Sequence, residues 1–169
     1  MERGSEPEED AGAWPLRHLK SPIVRDPDFE ARVRASFDKQ LFMATLGARL
    51  EHIAPGEVRI TVSHRPDLTQ QHGFLHAGAV TSVVDSACGY AALTLMEPGA
   101  AVLSVEFKVN LLAPAAGKEF IAIGKVVRAG RTITVVSGEL VSLDDGRETV
   151  VAILQGTMMA VRDRAGLSD

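Results

Sequence analysis

The sequence predicts an α+β domain in which one long helix is wrapped by a curved antiparallel sheet of about five to six strands. Three observations carry this. Ala77 to Met96 is a 20-residue run, mostly Ala, Val, Leu, Gly and Ser, whose only charge is Asp85. After Pro98-Gly99 the apolar period changes to two and stays so as far as Val161, broken by short turns. Ahead of the helix, Val58, Ile60 and Val62 alternate with Arg59, Thr61 and Ser63. A helix apolar on every face has to be buried. Strands joined by turns too short for crossovers have to be antiparallel. The helix must therefore lie across one face of a sheet curved enough to wrap it.

The elements follow in order. Residues 1–12 are rich in Glu, Pro and Gly without an apolar period, and read as a disordered acidic tail. Residues 13–27 contain Pro15, Pro22 and Pro27 and read as an extended lead-in whose Trp14 can dock on the body. The single domain spans 28–162, with a C-terminal tail at 163–169. Its first helix begins with Asp28 as N-cap, carries Phe29, Val33, Phe37, Leu41 and Met43 near helical spacing, and stops at Gly47. Leu50 and Ile53 lead to a turn at Gly56 and the strand 58–62. Leu68 to Leu75 has no period and reads as a polar loop. Behind the central helix come Leu103–Leu111, a strand from Phe120 to Gly124, Ile133–Leu143 and Glu148–Val161, the last two separated by Asp144-Asp145-Gly146. Edge strands left open by this count favour a dimer that continues the sheet.

Composition narrows the function classes. The chain has 169 residues, 46% hydrophobic and 24% charged, enough to bury a core without disulfides or metal. Cys88 is its single cysteine, and no signal-like start is present, which points to a reducing, cytoplasmic setting. Met1 to Asp10 holds five acids against Arg3, so the remaining 159 residues, with 17 acids and 17 bases, balance to zero. A neutral body with eight aromatics lacks the basic stripe and stacking platforms of a nucleic-acid binder. The 20-residue run is long enough for a membrane span, but a carboxylate near mid-bilayer costs about 2.5 to 3.5 kcal/mol and flanking basic residues are absent. No membrane span is expected.

Two features can carry chemistry. Asp85 has Val83, Val84, Ala87 and Cys88 as neighbours and nothing to pair with locally, although an unpaired buried charge is expensive. It is either a reactive carboxylate or a polar seam to a neighbouring strand or subunit. The second feature is the helix start, Leu75-His76-Ala77-Gly78, where the first N–H groups have no intrahelical acceptor and the dipole is positive. Such a terminus stabilises an oxyanion forming on a carbonyl. His76 is equally readable as a capping residue. His72 and His76 have metal-like spacing but no third ligand close by, so no metal and no cofactor are expected. Asp85 lies eight or nine residues after the helix start, about 12 to 13 Å along the axis. Both features can serve one carbonyl only if the helix start of one subunit faces Asp85 of another across a two-fold axis.

At this point the residues reach a resemblance. Gln70-Gln71-His72-Gly73-Phe74-Leu75-His76-Ala77-Gly78, then Asp85, then Gly89-Tyr90-Ala91-Ala92, resembles the hotdog-fold acyl-CoA thioesterases of the PaaI type. The similarity continues through Ser104 to Asn110, Pro114-Ala115 and Gly130-Arg131-Thr132, covering roughly residues 37–161. It implies hotdog topology and hydrolysis of acyl-CoA by a homodimer that often pairs into a dimer of dimers, coenzyme A being part of the substrate. Residue by residue, it implies Asp85 as general base or nucleophile and the Ala77 amide as oxyanion donor, with His76 and Gly78 shaping that hole. Gln70 would orient the water or the carbonyl, and Ser104 would help place the water. Arg131 and Thr132 would meet the nucleotide end of coenzyme A, against the alternative of a solvated strand-end charge. Ala77 replaces the first glycine of the family's usual His-Gly-Gly, which puts a methyl group near the scissile carbonyl and disfavours any left-handed backbone there. Two other readings stay open: an acyl-CoA-binding sensor without turnover, and a hotdog enoyl-CoA hydratase or dehydratase using His76 and Asp85.

Overall fold

The computed structural model describes residues 23–164 and Gly166; the acidic tail at 1–12 and Trp14 lie outside the described residues. Two short helices, α1 (Phe29–Asp38) and α2 (Leu41–Leu46), precede strands β1 (Arg49–Ala54) and β2 (Glu57–Ser63). A single 3-10 turn at Pro66–Leu68 leads to the central helix α3 (Ala77–Leu93), followed by β3 (Ala101–Leu111), β4 (Glu119–Ala129), β5 (Ile133–Asp144) and β6 (Arg147–Val161). The six strands form one antiparallel sheet in the order β1-β2-β4-β5-β6-β3. Helix α3 packs across its inner face on Phe120, Ala122, Val136, Leu140, Leu154 and Met158. This is the one-helix, one-sheet arrangement expected from the sequence.

Contact between helix and sheet depends on two glycines facing each other across β4 and β5. Gly124 and Gly138 are register partners. A Cβ on Gly124 would lie 2.3 Å from the Ala87 carbonyl carbon, and one on Gly138 would lie 2.6 Å from Cys88 Sγ. The backbone of α3 therefore rests directly on the sheet at Ala87-Cys88, with small residues on both sides of the contact. The hairpin β5–β6 closes through Asp145 and Gly146, with φ of 45° and 80°, the two positive values a type I′ turn requires.

Three local readings are corrected. The first helix breaks at Gln40, where ψ is 90°, and the chain re-enters α2 with Leu41 and Phe42 exposed and Met43 and Leu46 buried. The apolar stripe of 28–47 thus belongs to two helices, although Gly47 ends it as expected, with φ 67°. Asp28 makes no capping bond. Instead, Asp26 shapes the turn ahead of the helix, its Oδ1 accepting from the Asp28 N–H at 2.9 Å. The strand missing from the sequence count is β1. A bulge between Leu50 and His52 shifts its register, so its side chains do not keep the period of two.

Asp26 also holds Arg32, the pair sitting almost fully buried with Nε 3.2 Å from Oδ2. The Arg32 guanidinium donates to the carbonyls of Leu93, Met96 and Glu97 at 2.6 to 2.9 Å. One arginine therefore binds the last carbonyl of the central helix and two carbonyls of the segment that follows it, and ties α1 to that end.

Removing one partner of a buried pair leaves an uncompensated charge. Arg32→Met is expected to cost roughly 3–5 kcal/mol in urea unfolding. Gly124→Ala is expected to lower the midpoint as well, by overpacking worth about 1–3 kcal/mol. Gly89→Ala, where an added Cβ meets nothing within 4 Å, should leave stability unchanged or raise it.

Candidate active site

The period of α3 sorts its residues by chemistry. Val80, Val83, Val84, Ala87, Cys88 and Ala91 are buried in the core. Ser82, Asp85, Ser86 and Gly89, spaced i, i+3, i+4 and i+7, line a cavity of about 300 Å³ bounded across the way by Val102 and Ser104 of β3 and by Gln40, Phe42 and Met43. The small residues Ser82, Ser86 and Gly89 thus open space for a ligand; the close backbone approach lies on the other side of the helix, at Ala87-Cys88.

Asp85 is the one charged residue on this cavity wall. Ser104 Oγ donates to its Oδ1 at 2.8 Å; Oδ2 has no hydrogen-bond partner among the described residues. Burial pushes the Asp85 carboxyl above the ordinary aspartate range, and the Ser104 hydrogen bond opposes this without cancelling it. No cation among the described residues pairs with it. Behind it, Cys88 is pushed up to about 12 by burial and by the Asp85 charge, so it is held as a neutral thiol.

The helix start forms a second place. His76 is the N-cap of α3 and its Nδ1 accepts from the Gly78 N–H at 2.9 Å. With Nδ1 as acceptor, the neutral ring carries its proton on Nε2, which leaves an N–H donor facing outward. The Ala77 N–H comes first in the helix and has no acceptor among the described residues. Ala77 does not have positive φ, so replacing glycine there carries no backbone strain. Gln70 braces the preceding loop: its side-chain oxygen accepts from the His72 N–H, which leaves its amide N–H groups as donors. Gln70 and Ala77 line a cavity of about 410 Å³ with Phe74, Val80, Leu111 and Pro114. Among the described residues no group of three His, Cys, Asp or Glu side chains is placed to hold a metal.

The structure thus brings Asp85 together with Ser104, and Gln70 with His76, Ala77 and Gly78, in two separate places on one chain. Eight residues of helix, about 12 Å, stand between Ala77 and Asp85. Arg131 and Thr132 lie in the turn joining β4 to β5, outside both cavities. The Thr132 carbonyl accepts from Ala160 N–H at 2.8 Å and the Arg131 carbonyl accepts from Arg162. Ala160 pairs with Val102, two positions from Ser104, which puts the turn at the same end of the sheet as Asp85. Sequence reasoning missed Gln40 and Tyr90. Gln40 Nε2 donates to Tyr90 Oη at 2.8 Å beside the cavity, a contact between residues 50 apart that no local pattern announces.

A central helix laid across a six-stranded antiparallel sheet is the arrangement of hotdog-fold thioesterases. The chain matches the Thioesterase superfamily over residues 72–149. Two proteins of Saccharolobus solfataricus that carry esterase names are each 31% identical to it, over 59% and 70% of this chain and 70% and 76% of theirs. A crystal structure of a thioesterase family protein from Silicibacter pomeroyi is 51% identical, covers 79% of this chain and 98% of its own, and superposes with a TM-score of 0.78. The E. coli PaaI protein of the phenylacetic acid degradation operon shares the fold at 21% identity and a TM-score of 0.72, covering 79% of this chain and 94% of its own. The protein belongs to the hotdog-fold thioesterase superfamily, and its class of chemistry is thioester hydrolysis.

The raised Asp85 pKa sets a sign for stability. Between the carboxyl's unfolded value and its higher folded value, the folded chain binds the extra proton, so stability falls as pH rises through that window. Asp85→Asn removes this cost and should raise the thermal midpoint at pH 7 relative to wild type, with the difference shrinking below pH 4. An unchanged or lowered midpoint at pH 7 would show that the carboxylate is not strained by burial.

Proposed function

We propose that this protein is a PaaI-type thioesterase that hydrolyses acyl-CoA to the free acid and coenzyme A. The observation that carries the reading is Asp85, a desolvated carboxylate held by Ser104 on a cavity wall without a cation. Binding alone has no need of such a group, which counts against a sensor without turnover. A hydratase would require His76 beside the acid within one acyl site, and here the imidazole Nδ1 is committed to the helix cap.

Site geometry supports assembly from two copies. Strand β3 is a sheet edge of eleven residues, with Val105, Phe107 and Leu111 between 41% and 57% exposed beside Glu106 and Lys108. The opposite edge, β1, presents Arg49, Glu51 and His52 to solvent, the charged pattern that discourages pairing. Pairing of two β3 edges would lay the α3 helices antiparallel, so that the helix start of one copy reaches Asp85 of the other. Two equivalent sites per dimer follow, and the dimer itself can pair into a dimer of dimers in a cytoplasmic setting.

In such a site the thioester oxygen accepts hydrogen bonds from the Ala77 N–H and from a Gln70 or His76 donor. Charge developing on that oxygen is stabilised by the positive helix end. Asp85 Oδ2 takes a proton from water as the water oxygen attacks the carbonyl carbon. The carbon–sulfur bond then breaks and the proton passes to the departing thiolate. In the alternative route Oδ2 attacks the carbon itself, expelling thiolate, and water cleaves the resulting anhydride. Ser104 spends its one hydroxyl proton on Oδ1, which aims Oδ2 and leaves the Ser104 lone pairs to accept from the water. Arg131 and Thr132, at the same end of the sheet as Asp85, are assigned in this proposal to the nucleotide end of coenzyme A. The reading uses side chains and amides of the chain alone, without cofactor.

The test is thiol release from short, long and aromatic acyl-CoAs. Asp85→Asn is expected to lower kcat by about a hundredfold or more while the oligomer stays intact. Wild-type kcat should fall on acidification with an apparent pKa above that of free aspartate. Binding of these thioesters without release of thiol would overturn the reading in favour of a sensor.

A further inference from the structure

The cavity beyond Asp85 has a polar far end. Leaving the carboxylate, the wall runs past Ser86 and Gly89, where the absent side chain leaves open space, to the break between α1 and α2. There Gln40 Nε2 donates to Tyr90 Oη at 2.8 Å, and Ser36 Oγ lies 3.5 Å from the same oxygen. Tyr90 is 2% exposed, its ring packed on Phe37 at 5.7 Å between centroids. Gln40 lines the cavity, and its Oε1 has no hydrogen-bond partner among the described residues. The helix break places it there: with ψ of 90° at Gln40, the residue leaves the α1 path and fronts the cavity between the two helices.

Resting on the thioesterase reading above, we infer that Gln40 and Tyr90 select the acyl group: the site takes a short acyl chain whose far end carries a neutral hydrogen-bonding group, a hydroxyl or a carbonyl. The length follows from the helix. Gly89 and Tyr90 lie four and five residues beyond Asp85, about 6 to 8 Å along the axis, which an extended chain of five or six carbons spans. Polarity follows from the lining, since a plain methyl end would desolvate the Gln40 carboxamide without replacing its hydrogen bonds with water. Neutrality follows from charge: the wall holds Asp85 and no Lys or Arg, so a carboxylate end would meet repulsion without a partner.

The experiment compares kcat/KM for hexanoyl-CoA and 6-hydroxyhexanoyl-CoA, with adipoyl-CoA and decanoyl-CoA as charge and length controls. Wild type is expected to favour the hydroxylated chain about tenfold over hexanoyl and to discriminate more strongly against both controls. In Gln40→Leu and in Tyr90→Phe the hydroxyl preference should fall toward one. Gly89→Val, which fills the open floor, should reduce turnover of the six-carbon thioesters far more than that of acetyl-CoA. A wild-type preference for hexanoyl or decanoyl would overturn the inference while leaving thioester hydrolysis standing. A preference that persists in both Gln40→Leu and Tyr90→Phe would assign the selection elsewhere. If wild type releases thiol from none of these substrates, the hydrolysis reading fails and this inference falls with it.

Discussion

The position of every chemical group in this protein depends on how closely α3 sits on the sheet. At Gly124 and Gly138 the sheet has no side chains; the helix backbone at Ala87-Cys88 occupies the place at Gly124, and the Cys88 and Val84 side chains the place at Gly138. That contact fixes which way the helix is turned about its axis. With Ala87 and Cys88 pressed on β4 and β5, the face bearing Ser82, Asp85, Ser86 and Gly89 is rotated toward β3 and the α1–α2 break. A carboxylate two residues before the contact is consequently placed at the margin of the core: desolvated enough to raise its pKa, yet within reach of Ser104 and the cavity.

The two ends of α3 are treated differently, and each treatment has a functional counterpart. At the C-terminus the last carbonyls are met by Thr94 and Leu95 and, at Leu93, by Arg32, itself neutralised by Asp26, so that end is structural. At the N-terminus, among the described residues, only the Gly78 N–H receives a side-chain cap, from His76. The Ala77 N–H is left open beside a cavity, as an anion-stabilising terminus must be. The same cap assigns the outward proton of the imidazole to Nε2, so one hydrogen bond both completes the helix and prepares a donor.

Asymmetry between the sheet edges extends the argument beyond one chain. The six-residue β1 edge exposes Arg49, Glu51 and His52, while the eleven-residue β3 edge, itself bulged between Ser104 and Glu106, exposes apolar Val105, Phe107 and Leu111 beside Glu106 and Lys108. Since Asp85 and the helix start are about 12 Å apart in one copy, an edge suited to a second copy and a site divided in two have a common explanation. In the proposed dimer, stability of the assembly and competence of the site would be the same property.

Much of this was legible in the sequence. The apolar run around Asp85 required a buried helix, and its single acid was conspicuous because local residues offered it no partner. Period-two strands joined by short turns at 114–117, at Gly130 and at Asp144-Asp145-Gly146 required antiparallel pairing. Helical rise alone separated Asp85 from the helix start. Hydrophobic pattern and chain geometry determine these features without reference to distant residues. Tertiary structure decided the rest, because each remaining feature depends on residues brought together from far apart in the chain. Ser104 meets Asp85 across 19 positions, Gln40 meets Tyr90 across 50, and Arg32 meets the end of α3 across more than 60. Strand β1 escaped notice because a bulge breaks its alternation, and the first helix was overextended because Gln40 turns out of it where no Gly or Pro announces a break. Which face of α3 holds the cavity was decided by the glycines of β4 and β5, whose closeness to the helix exists only once the sheet has formed.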